Sequence, residues 1–243
     1  MYQEAINNYL KQHGHERINL KAVLFDMDGV LFNSMPNHAS SWHKVMERMG
    51  FGLSEQEAYM HEGRTGADTI NIISRRERGC DATDEEIKAI YAAKSEEFNK
   101  CPEAPRMPGA WEVLNKIKDD GLTRMIVTGS GQVSLLDRLN KNFPDIFRKE
   151  LMVTAFDIKY GKPNPDPYLM ALEKGGFRPN EAIVIENAPL GVQAGVAAGI
   201  FTIAVNTGPL PDEVLWDAGA NLLFPSMEAF NEAWEELKAS FIF

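Results

Sequence analysis

The chain has 243 residues, of which 44% are hydrophobic and 25% charged, a composition typical of a globular protein with a sizeable core. Its net charge at pH 7 is −10, which argues against nucleic acid as a partner because phosphate backbones bind basic surfaces. The same acidity means that any phosphate site in the chain needs a local cation.

The cysteines and the apolar runs exclude further classes of protein. Cys80 and Cys101 show none of the paired spacings of a zinc site, and two cysteines do not suggest a disulfide framework. No apolar run approaches the roughly 18–20 residues of a membrane span, and the N-terminus lacks the apolar stretch of a signal peptide. We therefore expect a cytoplasmic protein with no membrane partner.

Residues 1–20 predict an amphipathic helix that precedes the main domain. Their apolar side chains recur at helical spacing and would give this helix one apolar face: Tyr2, Ala5, Ile6, Tyr9 and Leu10. A helix packed against the domain is the favoured interpretation, and a disordered tail is the alternative.

Five short apolar runs predict the strands of a sheet. They lie at residues 22–25, 124–127, 151–153, 183–185 and 201–205. Runs that are apolar on both faces are typical of central strands in a parallel sheet, and helical patterns separate the later ones. This alternation predicts an α/β fold with a doubly wound, Rossmann-like parallel sheet. We assign residues 21–36 and 104–243 to this core.

The stretch between the first two predicted strands interrupts the alternation. Residues 37–103 have apolar stripes at helical spacing and contain no convincing strand. Prolines occur at both ends of the stretch, as hinges or linkers would require: Pro36, Pro102, Pro105 and Pro108. We therefore predict that residues 37–103 form a small helical cap domain inserted into the core.

Polar side chains follow four of the predicted strands. They are Asp26 with Asp28, the segment 128–130, Lys162, and Glu186 with Asn187. Each feature alone also fits a structural role, such as a solvated turn or a helix cap. Ligands of open α/β sheets bind beyond the carboxyl ends of the strands, and four unrelated structural roles in this order are far less probable than one shared crevice.

This set of side chains suits phosphoryl transfer. A carboxylate can attack phosphorus and form an acyl phosphate, which splits one difficult step into two. Mg²⁺ would neutralise the phosphate as the anionic nucleophile approaches, and it prefers oxygen ligands. A lysine and backbone amides can hold the remaining phosphate oxygens. Two carboxylates two residues apart can divide the nucleophile and acid–base roles.

The motifs resemble those of the haloacid dehalogenase superfamily. Four segments carry the resemblance: 25–31 (FDMDGVL), 127–130 (VTGS), 162–165 (KPNP) and 184–188 (VIENA). The likeness extends over about residues 21–223, and a helical insertion after the first motif is similar to the β-phosphoglucomutase-like branch. That branch holds phosphomutases, sugar-phosphate phosphatases and an inorganic pyrophosphatase. The resemblance implies an Mg²⁺-dependent phosphatase or phosphotransferase that acts on a small phosphorylated substrate, and we expect a monomer.

The resemblance also implies catalytic roles. Asp26 would be the nucleophile and a metal ligand, and Asp28 would be the general acid–base and would give its backbone carbonyl to the metal. Lys162 would bridge Asp26 and the phosphate. His38 occupies a position where a mutase can use a histidine to hold the acid–base group, although a residue at a helix N-terminus would need no such role.

The phosphate and metal sites follow from the same likeness. Three residues would bind the transferring phosphoryl group: Thr128, Gly129 and Ser130. Glu186 and Asn187 would complete the metal site, directly or through water. The sequence departs from the usual pattern here, because the fourth motif commonly ends in two acids, and the acid often found at the position of Asn33 is also missing. An amide oxygen still binds Mg²⁺ but brings no charge.

The segment 61–66 (HEGRTG) matches the substrate-specificity loop of the branch. The β-phosphoglucomutase pattern has basic residues near Glu62 and Gly66, to hold the second phosphate of the sugar, whereas here Arg64 lies between them. In one interpretation Glu62 reaches the metal, or a water bound to it, when the cap closes. The alternative is a surface salt bridge in a turn, which would contribute little.

Three functions remain open at this point. The chain is a hydrolase of a small phosphate ester or of pyrophosphate, a mutase such as β-phosphoglucomutase, or a non-enzymatic member of the family. Asp26, Asp28 and Lys162 together disfavour the last. The missing basic residues in the loop disfavour a bis-phosphorylated intermediate, and the whole chain is similar to the inorganic pyrophosphatase of the branch. We therefore expect hydrolysis, with pyrophosphate as substrate, and keep β-phosphoglucomutase or a sugar-phosphate phosphatase as the alternative.

Overall fold

The computed structural model describes residues 2–131 and 135–241, with the side chains of Leu135 and Leu136 left aside. Its six strands form one parallel sheet in the order β3-β2-β1-β4-β5-β6. The strands are β1 (Ala22–Phe25), β2 (Thr123–Val127), β3 (Met152–Val153), β4 (Ala182–Glu186), β5 (Phe201–Val205) and β6 (Leu222–Phe224). The predicted α/β fold with a parallel, Rossmann-like sheet is confirmed.

Helices cover both faces of the sheet. The first five are α1 (Tyr2–His13), α2 (Met35–Arg48), α3 (Glu55–Met60), α4 (Gly66–Arg78) and α5 (Asp84–Asn99). The others are α6 (Ala110–Asp119), α7 (Leu135–Asn142), α8 (Asp166–Gly175), α9 (Pro189–Ala197), α10 (Asp212–Asp217) and α11 (Met227–Ser240). Within the described residues, no helix is both long and apolar enough to cross a membrane.

Alternate residues of β1 enter two separate cores, because successive side chains of a strand point to opposite faces. Val23 and Phe25 pack with side chains of α6 and α11. Ala22 and Leu24 pack with side chains of α8 and α9 on the other face. A strand with apolar residues at every position is therefore buried on both sides. Because helices cover both faces of the sheet, a ligand can reach it at the ends of the strands.

The N-terminal segment forms a helix that packs on the core. Ile6 and Tyr9 of α1 are each 1% exposed. The Tyr9 ring meets the Phe201 ring edge to face with 5.4 Å between centroids, and its hydroxyl donates to the Gly199 carbonyl at 2.9 Å. These contacts anchor α1 beside β5, so the structure has the packed helix rather than a free tail.

Helices α2 to α5 occupy the interval between β1 and β2, and the described structure of that interval has no strand. Among these four helices, α2, α4 and α5 share an apolar cluster that includes Val45, Ile70 and Ile90. Hydroxyl side chains cap the starts of three of them, which fixes where each helix begins. The division of the chain into a core and a cap at residues 37 and 103 stays a prediction, and α2 itself begins slightly earlier, at Met35.

Candidate active site

The register of the sheet brings the predicted residues together. Phe25 pairs with Ile126 of β2 on one side and with Ile185 of β4 on the other. The next residue, Asp26, therefore lies between the ends of two neighbouring strands. Thr128 follows β2 and Glu186 ends β4, so the three side chains meet at one edge of the sheet, as the sequence predicts.

Lys162 lies at the centre of this group and is 2% exposed. Its ammonium donates to Asp26 Oδ1 at 2.5 Å, to Glu186 Oε1 at 2.6 Å and to the Val127 carbonyl at 3.0 Å. Burial works against the charge, but the two carboxylates outweigh it and raise the pKa of Lys162. The lysine is therefore a fixed cation that holds two carboxylates in place.

Asp26 is 5% exposed and faces a cavity. Burial raises the pKa of its carboxyl, the charge of Lys162 opposes this, and the negative charges of Glu186 and Asp28 add to the rise. The predicted nucleophile thus lies in a surplus of negative charge. A cation on its open side would favour the ionised form that attacks phosphorus.

Asp28 is held by two donors. Ser34 Oγ donates to Asp28 Oδ1 at 2.5 Å, and His38 Nε2 lies 3.4 Å from the same oxygen. Burial alone would raise the pKa of Asp28, but the charge and hydrogen bond of His38, together with the bond from Ser34, lower it. His38 therefore lies close enough to Asp28 to orient it, and that role stays a prediction.

The sequence analysis missed Lys94, which holds His38 from behind. Its ammonium lies 2.7 Å from His38 Nδ1, and the side chain also faces the rings of Phe98 at 4.8 Å and Trp42 at 5.5 Å. Lys94 is 5% exposed, and burial lowers its pKa to about 8. A lysine in the apolar stripe of a predicted helix was the available signal, because lysine is rarely buried unless it has a partner.

Glu62 lies beside the residue that replaces the usual second acid. It is 8% exposed, and its Oε1 accepts a hydrogen bond from Asn187 Nδ2 at 2.9 Å. Burial and the charge of Asp26 raise the pKa of Glu62 well above its usual value. The specificity loop therefore reaches into the site, and Glu62 is not the residue of a surface turn that the alternative interpretation described.

Asn187 keeps one polar atom free. Its Oδ1 is buried and has no hydrogen-bond partner among the described residues. A Cβ atom at Gly29 would lie 2.0 Å from Asn187 Nδ2, so the glycine of the first motif leaves room for this amide. An unpaired buried oxygen costs free energy unless a cation or water satisfies it.

Glu186 is bound by donors of the chain itself, and its predicted part in the metal site, directly or through water, stays a prediction. Both of its oxygens already accept hydrogen bonds within the protein. Lys162 and Tyr168 donate to Oε1 at 2.6 and 2.7 Å, and the backbone amides of Asn187 and Ala188 donate to Oε2 at 3.1 and 3.4 Å. In this geometry Glu186 positions Lys162, whereas Asp26 and Glu62 line the cavity.

The loop that carries Glu62 lies directly on the phosphate-binding segment. A Cβ atom at Gly129 would lie 3.0 Å from the Gly63 carbonyl oxygen and 3.2 Å from that of Arg64. The cavity between the two has a volume of about 80 Å³. The following predicted site residues line it: Asp26, Asp28, His38, Glu62, Arg64, Thr128, Gly129 and Ser130.

Arg64 adds a donor at the rim. Its side chain is partly exposed, but its Nε is buried and has no partner in the part of the chain that the structure describes. Burial lowers the pKa of Arg64, and the charge of Asp68 opposes this. The guanidinium is thus held near the cavity with donor capacity to spare, which suits an anionic ligand.

Comparison with known proteins identifies the family. The sequence profile of the haloacid dehalogenase-like hydrolase family matches residues 23–205. Hexitol phosphatase A of Escherichia coli is 32% identical over 188 residues, 76% of this chain and 83% of that protein. The phosphorylated carbohydrates phosphatase of Thermotoga maritima is 29% identical over 220 residues, 90% of this chain and all of its own.

A solved structure is closer still. The "Putative beta-phosphoglucomutase from Bacteroides vulgatus" is 77% identical, superposes with a TM-score of 0.97, and covers 99% of this chain and 98% of its own. The match of the family profile spans most of the chain and includes each of the four motifs. The chain therefore belongs to the haloacid dehalogenase-like hydrolase family, and it is an enzyme of the phosphatase and phosphotransferase type.

Proposed function

We propose that this enzyme is an Mg²⁺-dependent phosphohydrolase of compact phosphate substrates, and that its substrate is inorganic pyrophosphate. The observation that carries the proposal is the size of the site with the specificity loop in place. The cavity of about 80 Å³ is small beside the roughly 300–1,000 Å³ of typical small-molecule pockets. A phosphate group is far better matched to this volume than a hexose.

The donor set fits Mg²⁺. Among the described residues no three His, Cys, Asp or Glu side chains are grouped so as to hold a metal ion. The predicted set does not need three acids, since Mg²⁺ is commonly held by one or two carboxylates, waters and substrate oxygens. Asp26, the Asp28 carbonyl and the free Oδ1 of Asn187 would supply the protein ligands, and Glu62 would bind directly or through a water. The ion would supply charge neutralisation at the phosphate.

The residues of the chain then divide the reaction between them. Asp26 attacks the nearer phosphorus and forms an aspartyl phosphate, with phosphate as the leaving group. Lys162 holds Asp26 and would contact an oxygen of the transferring group. The pKa of Asp28 lies below its usual value, so this carboxylate is ionised at neutral pH. Asp28 can therefore accept the proton of the water that attacks the aspartyl phosphate, while His38 and Ser34 keep it in position.

Sugar phosphates remain the second candidate class. The observation that favours them is the relatives, whose names give hexitol phosphates and phosphorylated carbohydrates as substrates, or a phosphoglucomutase activity. The specificity loop disfavours a sugar with a second phosphate group, because Glu62 provides a carboxylate where that phosphate would need a cation. We expect the enzyme to act in the cytoplasm as a monomer.

A substrate panel tests the proposal. Phosphate release is measured with and without Mg²⁺ on pyrophosphate, β-glucose 1-phosphate, glucose 6-phosphate, a hexitol phosphate and glycerol 1-phosphate. Conversion of β-glucose 1-phosphate to glucose 6-phosphate is followed separately, since a mutase releases little phosphate. The proposal requires the highest kcat/KM for pyrophosphate and its loss on chelation of the metal. If kcat/KM were higher for any sugar phosphate than for pyrophosphate, the enzyme would be assigned to the sugar-phosphate class instead.

A further inference from the structure

Gly66 begins helix α4, and the ring of Tyr91 occupies the space where a side chain at position 66 would lie. A Cβ atom built on Gly66 would be 2.2 Å from Tyr91 Cδ2 and 2.3 Å from Cε2, well inside van der Waals contact. Gly66 does not have a positive φ. Glycine is therefore required here for space and not for backbone conformation.

The Tyr91 ring forms part of the cavity wall. Tyr91 and Gly66 both line the cavity that contains Asp26 and Asp28. The ring packs beside Trp42 with 6.5 Å between centroids. Burial and the negative charge of Asp28 raise the pKa of Tyr91, as expected for a phenol that faces this carboxylate. The side chain thus borders the space where a leaving group would lie.

The opposite wall of the cavity packs closely on the core. The specificity loop meets the core backbone to backbone, with the Gly63 carbonyl oxygen 3.0 Å from a Cβ built on Gly129. At a second contact, a Cβ built on Gly161 would lie 2.9 Å from Thr65 Cγ2 and 3.1 Å from the Thr65 amide nitrogen. With the loop in this position, the volume beyond the transferring phosphoryl group is bounded by side chains, and Tyr91 is one of them.

We propose that Tyr91 sets the upper size limit of the leaving group in this site. The absence of a side chain at Gly66 leaves the space in which the Tyr91 ring lies. This ring fills the space that a leaving group larger than phosphate would require. The proposal rests on the proposed function, because it explains how the same site would select a compact substrate. It adds a residue pair that acts on selectivity and takes no part in the chemical step.

The pair should act as one unit. A side chain at position 66 needs a smaller residue at position 91, and the glycine at 66 is needed only while the ring is present. Discrimination by shape is modest for each group added, on the order of 10- to 200-fold for one methylene in a well-packed pocket. Loss of a whole ring should therefore change selectivity measurably without abolishing turnover.

The first experiment compares two substrates in Tyr91→Ala. With Mg²⁺ present, kcat/KM is measured for pyrophosphate and for glucose 6-phosphate. The ratio of glucose 6-phosphate to pyrophosphate should rise at least about tenfold over the unsubstituted enzyme. Tyr91→Phe keeps the ring and should keep the original ratio. Ile87→Ala loosens the packing of the same helix one turn earlier, outside the cavity, and should also keep it.

The second experiment tests the coupling. Gly66→Ala should lower kcat/KM for pyrophosphate at least about tenfold, because the new methyl group forces the ring into the cavity or the loop away from the core. In the Tyr91→Ala background the same change should lower kcat/KM for pyrophosphate by less than about twofold. The effects of the two substitutions are then not additive, as is typical of residues in contact. Equal costs in the two backgrounds would overturn the pairing.

The results separate this inference from the proposed function. If the unsubstituted enzyme prefers glucose 6-phosphate, the proposed function fails, and the size limit fails with it. If the enzyme prefers pyrophosphate but Tyr91→Ala keeps the original ratio, only the inference fails. Tyr91→Leu removes less packing and replaces Tyr91→Ala in the same comparison if the latter does not fold, with the same two outcomes.

Discussion

The two buried lysines of the site lie in opposite surroundings. Lys162, from the loop before α8, donates to Asp26 and Glu186, and these carboxylates raise its pKa although it is buried. Lys94, from α5, faces His38 and two aromatic rings, and burial lowers its pKa to about 8. One lysine is a permanent cation, and the other can lose its proton close to neutral pH.

The contrast separates two halves of the site. The strand-end half is an ion network at the edge of the sheet, and its charges are fixed by the fold. The helical half, between β1 and β2, contributes Glu62, Tyr91 and Lys94, which bound the cavity or hold groups that do. We infer that the strand-end half carries the chemistry common to the family, while the helical half sets substrate choice and the response to pH.

Asp26→Asn should have the largest effect, because it removes the nucleophile from the strand-end half. An amide cannot form an acyl phosphate, so kcat should fall at least about 10³-fold, as losses of catalytic nucleophiles commonly do. Phosphate release from pyrophosphate measures the rate, and circular dichroism checks that the fold is kept. Beryllium fluoride should bind the native enzyme at Asp26 and fail to bind the variant. A variant with native turnover would exclude covalent catalysis by Asp26.

Lys162→Met should abolish activity and also destabilise the protein. It leaves two buried carboxylates without their cation, and breaking a buried ion pair in this way costs about 3–5 kcal/mol. Urea denaturation at pH 7 measures the free energy of unfolding. Lys94→Met is the matched control in the other half, since its removal leaves no buried carboxylate in contact with it unpaired. If the two variants lost equal stability, the contrast between the two lysines would be wrong.

Glu62→Ala should reduce turnover and leave stability intact. Removal of a group that supports a metal commonly costs 10–100-fold, so we expect a loss on the order of 10²-fold in kcat/KM for pyrophosphate, with a weaker dependence on Mg²⁺. The thermal midpoint should not fall, because a carboxyl whose pKa is raised by burial is not a stabilising charge. Glu62→Gln keeps a hydrogen-bond acceptor for Asn187 without the charge.

That second variant identifies the cause of the loss. Glu62→Gln should be as slow as Glu62→Ala if the negative charge acts on the metal, and close to native if only the hydrogen bond matters. Glu55→Ala removes an exposed acid from the nearby helix α3 and controls for a general change in charge. Near-native rates for both Glu62 variants would exclude a role of Glu62 at the metal and remove one argument for a hydrolase over a mutase.

The strand-end half could be predicted from the sequence because its signals are local. Apolar runs followed at once by polar residues place side chains at one edge of a parallel sheet, and four such runs leave little freedom in where they meet. The strands themselves were found at their correct places. The sixth strand, Leu222–Phe224, was missed, since three residues at a sheet edge carry almost no periodic pattern.

The helical half could be predicted only in outline. Glu62 was singled out through the family likeness, but its contact with Asn187 joins residues 125 positions apart. Lys94 and Tyr91 fit the apolar stripe predicted for one helix, and the spacing of that stripe does not indicate that these two residues border a cavity. The reason Gly66 must be glycine lies in a ring 25 positions away along the chain. Such contacts depend on how helices pack together, which local patterns do not determine.

Lys94→Met should give the smallest effect, a change in how stability depends on pH. The folded-state pKa of Lys94 is about 8, against an unfolded value of 10.5. Between these values the unfolded chain holds more protons at Lys94 than the folded one, so its contribution to the free energy of unfolding rises with pH. Below pH 8 the burial penalty is fully present, and it is relieved as pH approaches 10.5. The full change over these 2.5 pKa units is on the order of 3 kcal/mol.

Urea unfolding from pH 7 to pH 10 measures this contribution as a difference between two proteins. Other groups titrate in the same range, but they are common to the native enzyme and to Lys94→Met, so their contributions cancel. The native enzyme should gain stability relative to Lys94→Met as the pH rises. Lys88→Met removes an exposed lysine from the same helix, and its curve should run parallel to that of the native enzyme. If the Lys94→Met curve were parallel as well, Lys94 would not be the titratable lysine of the site, and the pH response would have to come from another group.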